Sequence, residues 1–115
     1  MRFLLLLRGD AAAETAMTDA ERRAMVDDHI AYTAMLRKRG AYVYGDPLAG
    51  PETGRVIRFD EPSPTVTDGP FVEAKESLGG VYVLECGSAD EAVDLARQLP
   101  RSPGLVAELR PIPEV

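Results

Sequence analysis

Arg2-Phe3-Leu4-Leu5-Leu6-Leu7-Arg8 sets five consecutive apolar residues between two arginines, with Gly9-Asp10 following as a turn. Successive side chains of a strand point to opposite faces, so Phe3, Leu5 and Leu7 share one face of a sheet and Leu4 and Leu6 the other. Both faces are apolar, and both therefore need cover. Five residues fall short of the about 7–15 of a signal-peptide core and of the about 20 that cross a bilayer. The segment reads as a buried strand, and a cytoplasmic location is expected.

Downstream of this strand, Ala11–Met17 reads as a connecting loop or loose helical turn. Thr18-Asp19-Ala20-Glu21 fits a capping box, in which a hydroxyl and a glutamate each satisfy an orphan helix N–H. The spacing predicts a helix from there to Arg39, with Arg37, Lys38 and Arg39 on its last turn and Gly40 as its stop. At about 100° per residue, Met25, Val26, His29, Thr33 and Leu36 share one face, with Ile30 and Tyr32 at its edges. Asp27, Ala31, Ala34 and Lys38 lie opposite. Ala41–Gly45 is expected as a second strand, Asp46–Gly54 as a loop and Arg55–Phe59 as a third strand. Pro62 and Pro64 break it, and Thr65–Thr67 resumes extended structure. Val81–Cys86 is a fourth strand. Ser88-Ala89-Asp90-Glu91 caps a helix through about Leu99, and Leu105–Ile112 closes the chain as a last strand.

The order β, α, β, β (with its Thr65–Thr67 extension), α, β predicts an α+β chain of ferredoxin-like βαββαβ type, its antiparallel sheet covered by two helices on one face. Two helices cover one face only, yet Leu4–Leu7 and Val81–Leu84 are apolar on both. Open apolar patches of several hundred Å² are unusual on a monomer. A homodimer through the sheet faces is the expected cover.

Composition narrows the function. The 115 residues suit one domain; 45% are hydrophobic and 28% charged, which argues against disorder. Thirteen basic against nineteen acidic residues give a net charge of -6, which disfavours nucleic acid and anionic membrane surfaces as partners. One cysteine and one histidine form neither an internal disulfide nor a Cys- or His-rich metal centre. Neither a metal nor a cofactor is expected.

The stretch Asp68-Gly69-Pro70-Phe71-Val72-Glu73-Ala74-Lys75-Glu76, followed by Leu78-Gly79-Gly80, resembles the YCII-related family in its DGPF subgroup. The opening strand, His29-x-x-Tyr32, Ser88-x-Asp90-Glu91-Ala92 and Glu108-Leu109-Arg110-Pro111-Ile112 fit the same pattern. Val72, Ala74 and the Pro113–Val115 end depart from it. The resemblance implies a dimeric α/β barrel and a pocket lined by His29 and Asp68. It also implies an activity not yet established. Related domains occur in aromatic degradation, and many members of the subgroup are encoded beside extracytoplasmic-function sigma factors.

These residues support two readings. In the first the chain is a small enzyme, with His29 as acid or base and Asp68 as the carboxylate that fixes its tautomer. Tyr32 would orient a substrate oxygen, Arg22 would clamp a carboxylate, and Gly69 would let the backbone approach a small organic acid or lactone-like ligand. Each has a plainer role: His29 as a satisfied core group, Asp68-Gly69-Pro70 as a turn, and Arg22 as a solvated side chain. In the second reading the chain is a regulatory or ligand-binding module, for example a sigma-factor partner, contacting through Asp68–Glu76.

Overall fold

The structure, a computed structural model, describes residues 1–70 and 76–115. β1 (Arg2–Asp10) runs directly into a short helix, α1 (Ala11–Thr15), the helical turn rather than the loop of the two alternatives expected there. Asp10 starts it by accepting a hydrogen bond from the Ala13 N–H at 3.1 Å. α2 (Asp19–Lys38) opens with the reciprocal capping box that its sequence predicts. The Glu21 N–H donates to Thr18 Oγ1 at 3.1 Å, and the Thr18 N–H donates to Glu21 Oε1 at 3.0 Å. Those bonds hold the Glu21 carboxyl below the ordinary carboxylate range. Gly40, at φ +69°, ends α2 in the left-handed conformation that glycine adopts without strain.

The chain continues through β2 (Tyr42–Pro47), β3 (Arg55–Arg58), β4 (Thr65–Asp68), β5 (Glu76–Glu85), α3 (Ala89–Ala96) and β6 (Val106–Ile112). Four strands form one antiparallel sheet in the order β2-β5-β1-β6. With α2 and α3 this is the ferredoxin-like βαββαβ arrangement. The second member of its central strand pair is β5, not Arg55–Phe59 as the sequence order had it. β3 and β4 pair with each other instead, Ile57 opposite Val66, as a separate two-stranded arm inserted between β2 and β5.

One face of the sheet is sealed. Phe3, Leu5, Tyr82 and Leu84 pack with Tyr32 and Leu36 of α2 and with Ala92 and Leu95 of α3 in a single buried cluster. The buried stripe of α2 runs Met25, His29, Tyr32, Leu36, at spacings of four, three and four. Tyr32, expected at the edge, is instead buried because its hydroxyl finds the Leu95 carbonyl oxygen at 2.7 Å. Val26 and Ile30 turn outward, Ile30 being 63% exposed. At α3, Ser88 Oγ accepts from the Glu91 N–H as expected, but the Glu91 carboxylate takes the N–H of Gly87 rather than that of Ser88. The regular helix ends at Ala96, and turns carry the chain to Leu99.

The other face is mixed. Leu4, Leu6, Val81 and Val83 form its centre and are half-buried. By register, Tyr44 and Asp46 lie beside Val83 and Val81 on the β2 edge, while Arg110 and Glu108 lie beside Leu4 and Leu6 on the β6 edge. Arg8 and Arg110 both reach Glu108, at 3.5 and 3.7 Å. The apolar surface anticipated on this face is thus a central patch between polar borders.

Candidate functional site

His29 lies midway along α2, on the stripe that meets the sheet, and is half-buried. Its Nδ1 is 2.7 Å from the hydroxyl of Tyr82, a β5 residue whose side chain rises from the helix-covered face. The two rings are nearly parallel, 14° apart, with centroids separated by 6.0 Å. Tyr32 meets the Tyr82 ring edge-on at 5.3 Å. Gly45, opposite Tyr82 in the β2–β5 register, makes room for the phenol: a Cβ there would sit 2.5 Å from its ring.

The electrostatics follow from burial. Desolvation lowers the His29 pKa below its ordinary value, and the neighbouring Asp28 charge opposes that only in part. Burial raises the Tyr82 pKa; a hydrogen bond from the Thr33 hydroxyl, one turn beyond His29, pulls the other way. Both groups are therefore neutral at neutral pH. An imidazole nitrogen is a far better acceptor than a phenol oxygen, so we assign the shared hydrogen to Tyr82 O–H donating to Nδ1. Nε2 then carries the ring N–H, and it has no hydrogen-bond partner among the described residues.

The other residues named from sequence are dispersed. Asp68 ends β4 on the arm; its side chain is 83% exposed and pairs with Arg55 Nε at 3.4 Å. His29 and Asp68 are not brought together within one chain. The Tyr32 hydroxyl is engaged by Leu95, and burial raises its pKa strongly, so it serves the core rather than an open site. Arg22 donates through Nη2 to the Glu14 carbonyl at 2.9 Å and ties α2 to the end of α1. The Gly69 N–H donates to the Gly54 carbonyl at 2.9 Å, and a Cβ at Gly69 would meet the Pro51 carbonyl oxygen at 2.7 Å. These contacts hold Gly69 against the Pro51–Gly54 segment at the base of the arm; Phe71–Lys75 lie outside the described residues.

Tyr82 is the residue that sequence reasoning missed. The available signal was a phenol in the middle of the apolar Val81–Leu84 run, because a buried tyrosine hydroxyl needs a partner. Cys86 is buried and its thiol pKa is raised, chiefly by that burial, which makes it a poor nucleophile. Among the described residues no cluster of three His, Cys, Asp or Glu is placed to hold a metal ion. No helix among them is long and apolar enough to cross a membrane.

A βαββαβ sheet with a neutral, half-buried imidazole at its helix seam defines a ferredoxin-like α+β fold with a histidine-centred candidate site. Residues 1–114 match the YCII-related domain, and the chain belongs to the YCII-related family. It is 30% identical over 99 residues to an uncharacterized protein of Rhizobium meliloti (strain 1021), a match covering 86% of this chain and 80% of that one.

Proposed function

We propose that this YCII-related chain, of the DGPF subgroup, handles a small organic acid or lactone-like molecule at His29. The observation that carries the reading is the 2.7 Å His29–Tyr82 contact at the helix–sheet seam. A carboxylate partner would favour the imidazolium; a phenol leaves the ring neutral and accommodates either tautomer. With the hydrogen on Nε2, His29 donates to a carbonyl or carboxylate oxygen. With Nδ1–H turned toward the Tyr82 oxygen, Nε2 accepts a proton from substrate. His29 is thus both a hydrogen-bond donor and an acid/base group, with Tyr82 as its positioning residue. The same proposal includes a cytoplasmic homodimer through the sheet faces, in which Asp68 belongs to the arm rather than to the intrachain pair.

The test is a thermal-shift screen of small carboxylic acids and lactones on the wild type and on His29→Ala. Compounds that raise the wild-type melting temperature and have no effect on a folded His29→Ala variant support the reading. Equal shifts in both proteins contradict it. A non-enzymatic partner-binding role, with a sigma factor as one partner class, is favoured by one feature, the exposed apolar arm. A screen that shifts nothing, together with co-purification of a sigma factor, would favour that role.

A further inference from the structure

The chain exposes 8019 Å² to solvent, whereas a folded monomer of its 12.5 kDa mass exposes about 6,200 Å². Its radius of gyration is 16.0 Å, against about 13 Å for a compact chain of this length. The surplus surface exceeds the about 800 Å² that each partner contributes to a standard stable interface. The β3–β4 arm, exposed along nearly all of its length, is a two-stranded ribbon of a kind that is marginally stable alone. Ile57 and Val66 are paired on one face of the arm, and Phe59 continues that face toward the tip. Val66 is 63% exposed and Phe59 86%. Asp60 and Glu61 follow Phe59, so the tip is an aromatic ring beside two acids.

A groove of about 570 Å³ lies between the end of α3 and β6, with Leu99, Leu105 and Val106 among its lining residues. Arg97 and Arg101 also line it, and neither has an ion pair among the described residues. A lining of mixed polarity, with Leu99 and Leu105 beside two cations, suits an aromatic flanked by carboxylates. The groove borders β6 at one edge of the sheet, while the arm leaves from β2 at the other. Three strand spacings, about 14 Å, separate those edges within one chain.

We propose that the β3–β4 arm is an intersubunit clasp that seats Phe59, with Asp60 and Glu61, in the α3–β6 groove of a second copy. The inference rests on the sheet-face dimer proposed above and adds its geometry. A two-fold axis parallel to the strands, between facing sheets, lays β2 of one copy over β6 of the other. The arm that follows β2 then arrives at the partner's groove, and the partner's arm arrives at the first. The same axis sets the central Leu4 and Val83 of each copy against one another. On the edges it brings Tyr44 of one copy to Arg110 of the other and Asp46 to Glu108, whose charge Arg8 and Arg110 already share.

Sedimentation equilibrium on the full chain tests the clasp. The wild type is expected at twice its chain mass at micromolar concentration. Phe59→Ser, which touches an exposed residue and leaves folding intact, is expected to raise the dimer dissociation constant about tenfold or more. Arg97→Glu with Arg101→Glu is expected to do the same, and adding Asp60→Arg with Glu61→Arg to that variant is expected to restore association. With p-benzoylphenylalanine in place of Phe59, irradiation of mixed light and heavy chains should yield light–heavy adducts within residues 96–107. An unchanged dissociation constant in Phe59→Ser, or adducts confined to one chain, would overturn the clasp. If Phe59→Ser stays dimeric while Leu6→Lys becomes monomeric, the clasp fails and the sheet-face dimer stands. A wild type that stays monomeric at tens of micromolar overturns both.

Discussion

The helix-covered side of the sheet and the β3–β4 arm are built from similar side chains and end in opposite states. Leu5 and Leu84 are completely enclosed, whereas Ile57, Phe59 and Val66 stand in water. Both regions are short strands rich in apolar side chains, an unbroken run at Phe3–Leu7 and one interrupted by Arg58 at Arg55–Phe59, and that pattern alone does not say which will be enclosed. What separates them is neighbours: β1 is paired on both edges and roofed by two helices, while β3 has β4 alone. Burial belongs to the assembly of elements, and a strand inherits it only by sitting between others.

The sharpest way to break this contrast is to truncate a side chain in each region. Leu5→Ala should lower unfolding free energy by about 2–5 kcal/mol in urea titrations, the cost of a cavity in a sealed core. Gly45→Ala comes next, at about 1–3 kcal/mol, because the new Cβ must displace the Tyr82 ring. Thr18→Ala should cost about 1 kcal/mol by removing half of the α2 capping box. Val66→Ser on the arm should stay within about 0.5 kcal/mol in the monomer, as surface changes do. A loss at Val66 as large as that at Leu5 would mean that the arm is part of the core.

Much of this architecture is legible in the chain. The Thr18–Glu21 box, the Gly40 stop and the two-faced Phe3–Leu7 run each carry their own physical signal and appear where expected. Strand partnership is less legible, because Arg55–Phe59 and Val81–Leu84 both read as short strands, and neither states which strand it will meet. Helix rotation is a second gap. Tyr32 and Val26 exchange places because a phenol finds a carbonyl across the core, which no helical wheel includes. At the candidate site, His29 is apparent as the single histidine on an apolar face. Its partner, 53 positions away on another element, comes into reach only through the β5 register.

The proton bound by His29 also sets a pH dependence. Its pKa is lowered in the folded chain, so the unfolded chain binds that proton first. The His29 contribution to stability is fully present above the ordinary histidine pKa of about 6.5. It declines as pH falls from there through the lower folded value. Tyr82→Phe should keep this sign, since burial rather than the hydrogen bond is its main cause, while costing about 1 kcal/mol at neutral pH.

His29 is a neutral imidazole held by a phenol, and nitrogen-15 NMR of its ring across a pH titration reads both properties at once. The expected result is the Nε2–H tautomer at neutral pH, with a midpoint below that of an unstructured histidine. An Nδ1–H tautomer would reverse the assigned direction of the His29–Tyr82 hydrogen bond, and a midpoint at or above the unstructured value would contradict a buried, neutral ring.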